Sequence, residues 1–226
     1  MFLGTIINCA TILVGGSIGL VLHKNFPEKI RFIVFQGIGL FSLVIGMQMA
    51  FKAINPLILV FSVIIGGIVG ELLNLELRLD LLSEKLKKLS GSKSNTFTEG
   101  LTTAFLLFCV GSMAILGPIN EVLRNDRSIL YTKSILDGFS SIALASSLGV
   151  GVLFSAIPVF LYQGGITIFA STFQSYFSTS IISELTAVGG LLILGIGINL
   201  LDIKKIKVVN MLPSLIIAVV LAALFK

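Results

Sequence analysis

Leu116–Ser128 reads LGPINEVLRNDRS, Tyr131–Pro158 reads YTKSILDGFSSIALASSLGVGVLFSAIP, and Val159–Thr167 reads VFLYQGGIT. The runs are mostly apolar, yet they are interrupted in ways an ordinary core is not. Gly117-Pro118 closes one hydrophobic run, Asp137 and Gly138 open the next, and Gln163-Gly164-Gly165 sits inside the third. In lipid, an ionisable Asp and a polar Gln beside helix-breaking residues are costly unless they face protein or a water-filled cavity. The functional site is expected in this region, with the other segments as its frame.

Composition supports the lipid setting. Of the 226 residues, 55% are hydrophobic and only 12% charged, and the mean hydropathy is +1.06. A soluble domain carries about 25% charged residues. Several apolar runs reach about 18–20 residues, the length that crosses hydrocarbon. The net charge of +5 does not point to nucleic acid, because the basic residues lie in short loops between spans, where topology accounts for them. Cys9 and Cys109 both lie in apolar runs and read as small buried hydrophobes. His23 stands beside Lys24 without the partner spacing of a metal motif. No metal and no cofactor is expected.

Eight spans follow in order, at about 3–22, 32–51, 57–73, 101–116, 135–155, 158–177, 185–201 and 208–225. The first lacks a positive n-region and a cleavage site and reads as a retained span. Asn55-Pro56 opens the third, since a residue before Pro avoids helix. Leu72, Leu75, Leu79, Leu82, Leu86 and Leu89 recur at alternating three- and four-residue steps. They form the apolar seam of an amphipathic helix at about 74–90, with Glu76, Arg78, Lys85 and Lys88 on its other faces. That helix lies on a membrane or protein surface; a short coiled coil joining a homodimer is the alternative. Ser90–Thr98 is a polar linker, and a second polar loop holds Glu121, Arg124, Asp126, Arg127 and Lys133. The fifth span, with Gly138, Ser140, Ser141, Ser147, Gly149 and Gly151, is rich enough in small residues to sit centrally in a bundle. Pro158 separates it from the sixth, and the two form either two spans or a re-entrant pair.

Loop charge orients this arrangement. One side receives 11 of the 16 basic residues, from Lys24 through Lys88 and Lys93 to Lys207, and the other receives Lys52, Arg124, Arg127, Lys133 and Lys226. The positive-inside bias places the amphipathic helix in the cytoplasm and both termini outside. An internal similarity runs through the same spans. Gly15-Gly16 matches Gly164-Gly165; a constant offset pairs Gly39 with Gly190, Gly46 with Gly197 and Gln48 with Asn199; Pro56 then pairs with Pro213. Spans one to three so resemble spans six to eight, in repeat-like halves at about 3–73 and 157–225. Five is an odd number of spans between equivalents, so the repeats are inverted, as in many secondary transporters.

Enzyme motifs are absent. The chain has no Walker-type loop, no H-E-x-x-H, no paired-Cys spacing and no G-x-S-x-G. Asp137 has no second intramembrane Asp with which to form a coupled acid pair.

The opening GTIINCATILVGGSIGLVL, the GPI at Gly117–Ile119, the KSILDG at Lys133–Gly138 and the QGGIT at Gln163–Thr167 resemble the YdfK/YqgA-like family of uncharacterised bacterial integral membrane proteins. The resemblance covers essentially the whole chain and implies a polytopic inner-membrane protein with no established activity. Members often carry Asp-Gly after the GPI, where this chain has Asn120-Glu121.

The expectation is an all-α transmembrane bundle, one domain over residues 1–226, in a bacterial inner membrane. Its function is transport or conduction of a small solute or ion through a polar mid-bundle site. Asp137, Ser140, Ser141, Gln163, Gly164, Gly165, Thr167, Gln48, Asn199, Gly117 and Pro118 are the candidate binding residues. Asp137, at the start of its span, is also placed to cap a helix N-terminus. A membrane enzyme acting on a lipid or lipid-linked substrate, built on the Glu121–Lys133 loop, and a non-transporting scaffold are the alternatives. The lipid bilayer and the transported solute or ion are the expected partners.

Overall fold

The computed structural model describes residues 2–25, 28–89, 96–109, 112–170 and 178–225. Every regular element among them is helical: α1 (Leu3–Asn25), α2 (Glu28–Ala50), α3 (Pro56–Leu72), α4 (Leu75–Leu89), α5 (Phe97–Cys109), α6 (Ser112–Arg124), α7 (Ser128–Leu148), α8 (Gly151–Phe154), α9 (Ala156–Ile168), α10 (Thr179–Leu200) and α11 (Ser214–Leu224), with a 3₁₀ turn at Val209–Met211. Three stretches are long and apolar enough to cross a membrane: Leu3–Leu22, Gly151–Ile168 and Thr179–Leu200. The α5–α6 pair, inclined by 54°, makes a fourth if it counts as one broken span. Gln36–Ala50, Pro56–Leu72 and Val209–Leu224 are apolar but shorter.

The chain divides into two compact units, each drawn from two separated stretches: residues 1–35 with 87–176, and 36–86 with 177–226. Neither unit has the bounds of a repeat-like half at 3–73 or 157–225.

In the first unit, α1 lies along α7 in the same direction. A Cβ on Gly15 would collide with the Gly138 carbonyl, and one on Gly19 would lie 2.8 Å from the Ala145 Cβ. Small residues let the two backbones approach this closely. Large apolar side chains point outward, among them Val14 and Phe139, 62% and 71% exposed, while Thr5, Asn8, Ser141, Gln163 and Thr167 are buried. That apolar-out, polar-in order suits a hydrocarbon solvent.

Several boundaries depart from the hydropathy reading. The helix holding Asp137 starts at Ser128, not Ile135, and only 125–127 separate it from α6. Asp137 therefore sits in the helix interior and does not cap it. The initiation is local: Asp126 Oδ1 accepts from the Ser128 N–H at 2.9 Å and from its hydroxyl at 2.6 Å. Those bonds hold the exposed Asp126 carboxyl below its ordinary value. Pro118 does not stop its helix but lies inside α6. It leaves the Ala114 carbonyl without its usual donor, a defect that membrane helices tolerate when neighbours supply partners. Gly164-Gly165 do not interrupt α9, which continues to Ile168. The break between the fifth and sixth segments falls at Gly149, whose φ of 77° ends α7, because glycine alone enters that region without a Cβ clash. Pro158 lies in the first turn of α9, where no N–H is required of it.

In the second unit, α2 from Gln36 packs antiparallel on α10, with Gly46 at Gly190 and Gly39 at Gly197. Helices α3 and α11 pack antiparallel as well, Gly66 at Ser214 and Gly70 at Asn210. Ile58, Ile181 and Ala222 close one end of this core. Helix α4 starts at Leu75, so Leu72 of the expected seam belongs to α3. Leu75 and Leu79 are half-buried, while Leu77 and Leu81 are exposed. The side chains of Leu82, Leu86 and Leu89, and most of the linker expected at Ser90–Thr98, lie outside what the structure describes.

Candidate functional site

Helix α7 stacks Lys133, Asp137 and Ser141 at successive i, i+4 positions on one buried face. Helices α1 and α9 bring Asn8 and Gln163 to that face. Lys133 Nζ donates to Asp137 Oδ2 at 2.5 Å. Asn8 Nδ2 donates to the same oxygen at 3.1 Å and approaches Gln163 Oε1 at 3.5 Å. Asp137 is 6% exposed and Lys133 5%. The Lys133 ammonium also lies 5.9 Å from the centre of the Phe108 ring, a second favourable surface for a desolvated cation. The charges of this pair cancel, which is the condition for holding either in a low-dielectric interior.

The cluster is incompletely satisfied. Asn8 Oδ1, Gln163 Nε2, Ser141 Oγ and Thr5 Oγ1 are buried with no hydrogen-bond partner among the described residues. Each such atom carries a desolvation cost of about 1–3 kcal/mol. Thr167 is different, because its hydroxyl bonds back to the Gln163 carbonyl at 2.9 Å.

The expected site residues distribute unevenly. Asp137, Ser141 and Gln163 belong to the cluster, Thr167 lies one turn beyond Gln163, and Ser140 is half-buried on α7. Gly164 is buried near Phe2, and a Cβ on Gly165 would meet open space. Gly117 packs on Leu130. Gln48 and Asn199 belong to the other unit. Gln48 is exposed. Asn199 pins the turn after α10, donating to the Ile206 carbonyl at 2.8 Å and accepting its N–H at 2.7 Å. Asn8 is the member that sequence reading missed; Lys133, four residues before Asp137, lies within its reach along one helix face only if the helix starts before it, as α7 does. Asn8, an amide inside an apolar run, carries the same signal as Gln163.

Among the described residues, two further carboxylates are buried. Glu121 Oε1 accepts the Gly4 N–H of the first turn of α1 at 3.1 Å and Arg127 Nε at 3.0 Å. It lies inside α6 and not in the polar loop expected there, caps α1 and is 3% exposed. In the second unit, Glu184 Oε1 accepts the Ile54 and Asn55 N–H groups at 2.9 and 2.6 Å, which fixes the turn between α2 and α3. Among the described residues, no group of three or more His, Cys, Asp or Glu side chains is placed to hold a metal.

The family profile described as a protein of unknown function, DUF554, matches residues 3–223. The chain belongs to this family. It is 41% identical over 218 residues to the uncharacterised membrane protein YdfK of Bacillus subtilis, covering 95% of this chain and 93% of that one. It is 34% identical over 228 residues to the uncharacterised protein YqgA of Escherichia coli, covering 99% and 97%. The family resemblance read from the motifs is thus met, and with the apolar helices it makes this a helical membrane protein. No solved structure matches the chain.

Proposed function

We propose that this protein carries a small solute or ion across the bacterial inner membrane, and that the Asn8–Lys133–Asp137–Gln163 cluster is its binding site. One observation carries the reading: a buried ion pair stands beside amide atoms of Asn8 and Gln163 that have no partner among the described residues. Buried polar atoms usually find partners; single carboxylate oxygens of the structural Glu121 and Glu184 are bare as well, but only at this ion pair do bare atoms of two amides, Asn8 and Gln163, gather among the described residues. Bare Asn8 Oδ1, Gln163 Nε2 and Ser141 Oγ are costs that a passing ligand would offset.

The inverted repeat is part of the same proposal. The pairs matched by internal similarity are Gly39 with Gly190 and Gly46 with Gly197, while the contacts run Gly39 to Gly197 and Gly46 to Gly190. Such reciprocal contact is what a local two-fold axis produces, and it supports an eight-span, multi-pass arrangement of related halves.

The test uses purified protein in lipid vesicles, with re-swelling after osmotic shock followed by light scattering in a panel of salts and small neutral solutes. Wild-type vesicles should re-swell faster than empty ones in at least one solute. Gln163→Leu removes the bare Nε2 together with one long contact from Asn8, and should keep the fold while losing that difference. Equal rates for wild-type, variant and empty vesicles in every solute would end the transport reading.

A further inference from the structure

We propose that a second site, in the unit of residues 36–86 and 177–226, seats one anionic phospholipid: an acyl chain lies in an apolar groove between α3 and α11, and the lipid phosphate meets Arg78 on α4. None of its residues belongs to the Asp137 cluster. The groove measures about 520 Å³. Val69 and Leu73 line it from the end of α3, Leu75 from the start of α4, and Ile216 and Ile217 from α11. Every lining residue is apolar, so water would find no hydrogen-bond partners there and the space suits hydrocarbon.

A polar knot fixes this corner. Asn210 Oδ1 accepts the Glu76 N–H of the first turn of α4 at 2.7 Å, and Asn210 Nδ2 donates to Glu71 Oε2 at 2.6 Å. Lys207 Nζ donates to Glu71 Oε1 at 2.5 Å. The chain turns between α3 and α4 at Asn74, whose φ is 51°. The groove therefore sits where the apolar α3 gives way to the charged α4, the same passage that a lipid makes from chain to headgroup.

Arg78 supplies the charge. It is exposed and follows Leu75 by three residues, so both lie on one face of α4. The positions three and four residues to either side hold Asn74, Leu75, Leu81 and Leu82, none of them acidic. Glu76 and Asp80 stand two residues away and so on the far side of the helix. Among the described residues no carboxylate pairs with Arg78, whereas Lys207 is already held by Glu71. An arginine set among leucines extends its guanidinium past them toward the headgroups and takes a phosphate in two parallel hydrogen bonds. An anionic lipid fits better than a zwitterionic one, because a choline or ethanolamine headgroup brings its own cation to the phosphate.

The test is native mass spectrometry of the delipidated, detergent-purified full chain, titrated with phosphatidylglycerol or phosphatidylcholine of the same acyl chains. Wild type should retain one phosphatidylglycerol several-fold more tightly than phosphatidylcholine; equal retention of the two would reject the anionic ligand. Arg78→Gln changes an exposed side chain, should fold normally and should lose that preference, and an unchanged preference would overturn the site. Ile217→Trp fills the groove and should release the lipid even with Arg78 present. Glycerophosphoglycerol, the same headgroup without chains, should not displace the lipid. Displacement would overturn the acyl seat, and this competition decides that point also if Ile217→Trp does not fold. Lys85→Gln removes a charge about two turns further along α4 and should leave retention unchanged. A loss equal to that of Arg78→Gln would mean diffuse attraction to a basic surface in place of a site.

Discussion

Gly46 and Gly190 stand face to face. A Cβ on Gly46 would lie 2.8 Å from the Gly190 carbonyl oxygen, and one on Gly190 would lie 2.6 Å from that of Gly46. Backbone meets backbone here, so no side chain can rotate away to make room. Gly190→Leu should therefore destabilise by about 1–3 kcal/mol or more through overpacking. Thermal unfolding of the purified protein in detergent checks this, and wild-type stability would show that α2 and α10 are not held together at that point.

Gly151 makes the equivalent contact in the first unit, where a Cβ would run into the Phe97 carbonyl. Gly151→Leu should lower folded yield and stability by roughly 1–3 kcal/mol. Gly165, whose Cβ would meet open space within α9, is the control. Gly165→Ala should be neutral or stabilise by about 0.5–1 kcal/mol through helix propensity. Equal losses at both positions would mean that helix packing is not what Gly151 serves.

Asp137→Asn leaves the Lys133 ammonium buried without a counter-charge, a loss of about 3–5 kcal/mol where the charge cannot escape. The double variant Lys133→Met/Asp137→Asn removes both charges and should recover most of that stability. Additive losses in the double-mutant cycle, read from thermal melts, would show that the two side chains do not interact.

Glu184 holds two backbone N–H groups. Glu184→Ala should cost on the order of 1–3 kcal/mol by leaving donors unpaired and should speed hydrogen exchange at Ile54 and Asn55. Glu184→Gln keeps an acceptor for both amides and should retain most of their protection. Equal protection in Glu184→Ala would contradict the pinning of this turn.

Orientation is tested by single cysteines placed in a Cys9→Ser/Cys109→Ser background. From the loop-charge bias, Ser92→Cys should label from the cytoplasmic side and Lys226→Cys from the opposite side. Labelling of both from one face would reject the eight-span arrangement.

Composition and run length alone determine that this chain is a helical membrane protein, because 12% charged residues cannot cover a water-facing surface of this size. They also locate the costly residues: Asp137 and Gln163 stand out in apolar runs whatever the fold. Which polar residues meet was decided only by tertiary structure. Asn8 reaches Asp137 across 129 positions and Gln163 across 155, and no local pattern encodes a contact of that range. Hydropathy assigned Lys133 to a loop because an isolated ammonium ends a span. A carboxylate one helical turn away cancels its charge, and the helix can then extend inward past it. The same limit separated Gln48 and Asn199 from the cluster. Their glycine neighbours align with one another in sequence, but packing of α2 on α10 places them in a different unit from Asp137.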